Sequence, residues 1–452
     1  MKKFKLSFAA LLSLLSIALI FSRCTKDNQV LDVPAASNGT ELYSQLTATA
    51  PGIDGTIDAI WGNAEKLAVN PTVPDAGNGL FTGYIGEQYP ATLRSMYDGS
   101  NIYFLLEFKD ATKNTTVSPW YFDPALNVTG KTGWAKEPSS RTFDGSGVLA
   151  REGWGEDKIA MLWNVNNSTP KFLSQSCYAS CHIFSPYLDY SQTPAAMVSN
   201  SASGNHYTNG PNEKIDMWWG RLGFMSAGAS TNQLDDNYQD WAGGQAVTNL
   251  TGGNANGRHV DGIVPDGTKS ATWPFRPNYT ASPTQGEVSN SQNLKLDGTG
   301  NSVAVPIWVI PNASTSFIAL ADTLSGGAAR KVVGVSSAGV LTLSDATTID
   351  PVANNAYQRP SGFNATSPTA TKAIASLIAV PLIGTRADIT AVSVYTGTGW
   401  IIEYKRSLKT ADVLNQDVDF SSLNDQQFGV AIWNASNYQH GINPNLVLKF
   451  KK

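Results

Sequence analysis

Asn101-Ile102-Tyr103-Phe104-Leu105-Leu106-Glu107-Phe108 is an unbroken apolar and aromatic run that follows the turn signal Asp98-Gly99. A run of strand length, bounded by a turn and rich in aromatic and branched residues, predicts a β-strand buried on both faces. Runs of the same kind recur on either side. Lys158–Trp163 follows another turn, Val303–Ile310 is apolar and β-branched, and Phe428–Trp433 and Leu446–Phe450 close the chain. Ile389–Tyr395 and Trp400–Tyr404 flank Thr396-Gly397-Thr398-Gly399, which predicts a hairpin. Helix signals are confined to Ile57–Leu67 and Ala370–Val380, and long polar stretches at Ser199–Asn212, Ser226–Gly257 and Tyr279–Gly300 read as loops. No fixed-period repeat is present. The prediction is a mostly β chain folded as a single large β-sandwich with long loop insertions and a few short helices.

Composition agrees with this class. The 452 residues include 40 Gly, 23 Pro, 12 Trp, 16 Tyr and 17 Phe, a balance that favours strands and turns over helix bundles. A net charge of −4 with only 32 Lys and Arg lacks the basic footprint of a nucleic-acid binder. Three cysteines exclude a disulfide-dense scaffold and a four-thiolate zinc site.

The N-terminus carries a basic start, Met1-Lys2-Lys3-Phe4-Lys5, then an apolar run from Leu6 to Phe21, then Ser22-Arg23-Cys24. That is the layout of a secretory signal, too short for a comfortable membrane span. It resembles a bacterial lipoprotein signal, which makes residues 1–23 the signal peptide and Cys24 the lipidated first residue. Arg23 stands where such signals usually place a small residue. Residues 24–46 read as a polar tether. The body is expected over 47–452, with insertions around 226–300 and 312–380, anchored to the outer membrane at its periplasmic or cell-surface face.

The main chemical signal is Cys177-Tyr178-Ala179-Ser180-Cys181-His182. Two thiols followed directly by a histidine are what covalent haem attachment requires: each cysteine adds to one vinyl group and the histidine takes an axial position on the iron. The spacing of three residues, where two is usual, departs from the common pattern. A local disulfide and a metal site lacking its fourth ligand are the competing readings. For the second axial position the candidates are His440, between the last two strand-like runs, and Met217 and Met225. Asp54 and Asp58 offer oxygen ligands for calcium, although turn formation is the commoner use of such residues. No dinucleotide, phosphate-loop, nucleophile-elbow or paired-carboxylate signature stands in a fitting context.

Several stretches in order resemble the ethylbenzene dehydrogenase gamma-subunit family, a haem-binding domain. They are Ile53-Asp54-Gly55-Thr56-Ile57-Asp58-Ala59-Ile60-Trp61, Tyr97–Phe104, Glu156–Trp163, Cys177–His182, Asp216-Met217-Trp218-Trp219, Gly399–Leu408 and Phe428–Trp433. The resemblance implies a β-sandwich holding one haem. In the members with non-covalent haem, an early methionine and a late lysine are the ligands. Cys177–His182 falls at the early position and His440 near the late one. The opening Asp54–Trp61 also resembles the start of sugar-binding sandwich modules. The expectation is therefore an exported monohaem c-type cytochrome, not an enzyme by itself, carrying one haem c and passing electrons to a redox partner protein. The alternatives are a haem-free surface lipoprotein binding a glycan or other ligand, and a haem-based sensor.

Overall fold

The strand read at Asn101–Phe108 pairs along both edges, and the chain builds outward from it. The structure, a computed structural model, describes residues 39–75, 81–170, 172–175, 187–189, 196–198, 208, 212–226, 231–240, 258–269, 277–279, 284–297, 300–358 and 372–452. Ten strands carry the main sheet: β1 (Glu41–Leu46), β2 (Ala91–Tyr97), β3 (Asn101–Lys109), β4 (Glu156–Asn164), β5 (Ile215–Arg221), β6 (Gln233–Gln239), β7 (Ile389–Tyr395), β8 (Gly399–Ser407), β9 (Gln426–Ser436) and β10 (Gly441–Lys451). Their order is β1-β10-β9-β4-β5-β6-β7-β8-β3-β2, and β2 pairs back onto β1. The predicted two-layer sandwich is thus corrected to a closed barrel with several small sheets attached. Closure removes the two free edges that a sandwich would have to protect.

Closure depends on β1, a stretch the sequence reading placed in the tether. It runs parallel to both neighbours, with Glu41 opposite Val447 and Ser44 opposite Ser95, whereas the other neighbours around the barrel pair antiparallel. Its residues Glu-Leu-Tyr-Ser-Gln-Leu alternate in burial, so its apolar content is low although Leu42 is fully buried.

Strand alternation sorts the apolar runs onto two faces. From β3, Ile102, Phe104 and Leu106 enter the barrel core, while Tyr103 and Leu105 pack outside against Trp61. The interior is aromatic. Trp163 of β4 stacks on Phe428 at 4.9 Å and meets Trp218 and Phe420 at 5.1 Å each, and Phe104 lies against Tyr404 at 5.2 Å. Each fully buried side chain of this size contributes roughly 1.5–3 kcal/mol.

The motif Ile53–Trp61 has a structural role. Glu403 of β8 accepts the Trp61 indole N–H at 3.0 Å and the Gly55 N–H at 2.8 Å. Gly55 sits at φ +84°, where an L side chain is strained. Ile57–Leu67 is a single 3₁₀ turn (Ala59–Asn63) followed by a short strand, and the helix predicted at Ala370–Val380 is replaced by the strand Leu377–Val380. The hairpin forms as expected, Val394 opposite Ile401. A second apolar core lies outside the barrel interior. Val305, Val309, Val332, Leu341 and Tyr357 pack with Trp120, Phe122 and Trp134.

Candidate functional site

Strands β5 and β6 lie side by side, with Trp218 opposite Asp236 and Trp219 opposite Asp235. Alternation along them divides the neighbourhood into an inner and an outer site.

On the inner side, Asp216 and Asp236 are 0% exposed, and Asp417 approaches them from the loop after β8. One carboxylate oxygen from each of the three lies within 4.8 Å of the others. Asp261, also buried, stands beside Asp417. The charge balancing them is Arg406 of β8. Its guanidinium donates to Asp216 Oδ2 at 2.9 Å and to the Val418 carbonyl, and stands 3.7 Å from Asp236. It lies over the rings of Trp218 and Phe420, at 4.7 and 5.3 Å from their centroids. No donor from outside the carboxylate group reaches either oxygen of Asp236, Asp261 or Asp417.

Burial dominates the acidities of this group. It raises Asp216 to about 6 against the pull of Arg406. It raises Asp261 to about 11, helped by Asp417, and raises Asp236 well above the usual carboxylate range, helped by the Asp216 charge. Asp388, half-buried nearby, is raised to about 6, and Asp157, packed under Trp400, to about 8. Carboxyls raised in the folded state bind protons more tightly there than in the unfolded chain. Their stabilisation is complete below an unfolded value near 3.8 and is lost as pH rises through the folded values. His440, lowered to about 4, acts in the opposite sense between about 4 and 6.5. Lys158, lowered to about 7, does so only above that pH. Five raised carboxyls outweigh one histidine. In chelator, the urea midpoint will therefore fall as pH rises from about 4 to about 6.5, and Asp236→Asn will flatten the slope. A midpoint that climbs steadily over that range would refute the acidity pattern.

On the outer side, half-buried Trp219 lines a recess with Arg221, Phe224, Thr231, Gln233, Asp235 and Glu287. Arg221 bridges Glu156 and Glu287. Arg386 clamps Asp235 through two hydrogen bonds of 2.5 Å. Two guanidinium groups approach the Trp219 ring, Arg258 at 4.8 Å and Arg221 at 5.5 Å, while the Trp219 indole N–H has no acceptor. The recess is open to solvent on one side and has about 30 Å³ of inner space, room for one ordered water or one ligand hydroxyl.

Cys24, Cys177, Cys181 and His182 fall outside the described residues. His440 is partly buried, stacked on Trp433 at 4.4 Å with the edge of Phe81 at 5.7 Å, and its Nδ1 is 2.7 Å from the Tyr438 carbonyl. Met217 is buried on the outer side of the barrel wall with its sulfur 3.7 Å from Gln239 Nε2, and Met225 is in the barrel core. Asp54 and Asp58 each accept a nearby backbone N–H, from Thr56 at 2.8 Å and Gly52 at 2.6 Å, the turn-forming use.

The wall of the closed β-barrel thus carries a buried carboxylate cluster on its inner side and a charged, aromatic recess on its outer side. The ethylbenzene dehydrogenase family model matches residues 58–302, more than half of the chain, and the chain belongs to that family. No curated protein matches it. Among solved structures, it is similar to a family 9 carbohydrate-binding module from Caldicellulosiruptor kristjanssonii in complex with glucose. That match has 8% identity and a TM-score of 0.26, covering 91% of this chain and 95% of that one. The same module in complex with cellotriose matches at 9% identity and a TM-score of 0.24, covering 91% and 93%.

The expected monohaem c-type cytochrome and its haem c cofactor are corrected here. The side chains that the described residues gather at metal-ligand spacing are the carboxylates Asp216, Asp236 and Asp417. An all-oxygen carboxylate set suits a hard cation, whereas haem iron takes its protein ligands from histidine, methionine, cysteine, tyrosine or lysine.

Proposed function

We propose that the chain is a haem-free, exported binding module, without catalytic activity of its own, that holds a glycan on the outer wall of the barrel. Cys24 supplies a lipid anchor to the outer membrane, and the barrel presents its recess to the surroundings. The observation that carries this reading is Trp219. It is a half-buried ring with an indole N–H lacking an acceptor, in a recess that also presents apolar Phe224 and Leu382 and the charged groups of Arg221, Asp235 and Glu287. Hydroxyl-rich ligands are held this way, by an apolar ring face together with bidentate charged groups that accept and donate to neighbouring hydroxyls. Arg221–Glu287 and Arg386–Asp235 are fixed by their mutual pairing, so they present those groups at little entropic cost.

Trp219→Ala tests the reading. Removing an aromatic anchor from a binding site costs about 2 kcal/mol, a loss of roughly thirty-fold in affinity. Calorimetric titration with a panel of soluble oligosaccharides should show binding by the wild type and that loss in the variant, with unfolding unchanged. Binding that survives Trp219→Ala, or no binding to any member of the panel, would remove the assignment.

A further inference from the structure

We propose that Asp216, Asp236 and Asp417, with Asp261 beside them, form a site for a hard divalent cation of calcium's size inside the barrel wall. The site stands on the fold and is independent of the glycan reading. Oxygens bound to one calcium ion at about 2.3–2.6 Å lie no farther apart than about twice that length. The three carboxylates meet this limit, each offering an oxygen within 4.8 Å of the others. A magnesium ion dehydrates reluctantly and is seldom held in an all-protein cage, so a buried set of carboxylates favours calcium.

The second observation is Asp261. It is 5% exposed, no donor from outside the carboxylate group reaches either of its oxygens, and its carboxyl meets that of Asp417. Four buried carboxylates share the single guanidinium of Arg406, which is already committed to Asp216 Oδ2 and the Val418 carbonyl. Facing carboxylates away from water are stabilised either by shared protons or by a cation. A divalent ion supplies the missing charge and gives the free oxygens of Asp216, Asp236 and Asp417 a partner at once, with Asp261 beside Asp417 as a further carboxylate.

The four residues come from separate segments, so the ion also acts as a clasp. Asp216 and Asp236 are fixed on β5 and β6, whereas Asp261 and Asp417 lie on loops. Those loops already touch: Gln416 accepts from the Gly262 N–H at 2.9 Å and donates to the Ile263 carbonyl at 2.9 Å. Bound cation ties both loops to the strands whose opposite faces carry Trp219 and Asp235.

The test uses the mature chain, stripped with EDTA and dialysed. Terbium(III) serves as the luminescent probe, sensitised by Trp218 beside the site, and calcium chloride as the competitor. The expected result is terbium emission that calcium displaces, with a calcium-dependent rise in Tm on the order of 5 °C at about 1 mM, larger than that from equimolar magnesium. Asp236→Asn should abolish both signals, and Asp417→Asn is read the same way if the first variant does not fold. Identical unfolding in calcium and EDTA without sensitised emission would overturn the proposal. So would an equal shift from magnesium, or retention of both signals in a folded Asp→Asn variant.

Discussion

Arg406→Met will lower stability by about 3–5 kcal/mol at neutral pH, the cost of removing one partner from a buried ion pair. Arg406 is 2% exposed, and the four carboxylates near it, Asp216, Asp236, Asp261 and Asp417, each have at least one oxygen with no donor. Methionine fills comparable volume, so the loss reports the charge rather than a cavity. The loss will shrink toward pH 5, because Asp216 and Asp236, raised by burial, can take up protons when the guanidinium is gone. Arg406→Lys will not restore the wild-type value. A lysine keeps the charge but cannot donate to Asp216 and Val418 from one planar group lying over Trp218 and Phe420. Urea unfolding across this pH range checks the prediction, and a loss below about 1 kcal/mol at neutral pH would speak against it.

Trp163→Ala will cost about 3–5 kcal/mol, the range for deleting a large aromatic from a packed core. Trp163 is 0% exposed and stands at the centre of the interior, in contact with Phe104, Trp218, Phe420 and Phe428. These partners come from β3, β5, β9 and the loop before β9, so the cavity loosens several parts of the wall together. Trp163→Phe will recover part of the loss by keeping one ring in the stack. Equal stability of the alanine and phenylalanine variants would show that the ring contacts contribute little.

The strands that form the wall were legible because they are apolar on both faces and bounded by turns. Asn101–Lys109, Glu156–Asn164 and the 389–407 hairpin all stand where their sequences place them. Closure was not legible. It rests on Glu41–Leu46, whose alternation spans one short strand with a polar outer face, and on pairings between residues hundreds of positions apart. A sandwich and a barrel have the same local pattern and differ only in which edges meet.

The carboxylate cluster was hidden for the same reason. Asp235-Asp236-Asn237 has no metal-loop spacing, and Asp216, Asp261 and Asp417 are scattered along the chain. Only the pairing of β5 with β6 and the folding-back of two loops join them. The available hint was the aspartate within Asp216-Met217-Trp218-Trp219, since a carboxylate on a buried strand requires a partner. Cys177–His182 drew attention because its chemistry is contiguous in sequence, whereas the sites on the barrel wall are assembled from distant segments.

Membership of the ethylbenzene dehydrogenase family does not by itself assign a cofactor, because one β framework can carry different sites. The most direct test is an absorption spectrum, with a haem stain after denaturing electrophoresis, of the mature protein made in a host that attaches haem to cysteines. A haem-free binding module gives the protein band at 280 nm alone and an unstained band on the gel. A Soret band, with stain that persists through denaturation, would contradict it.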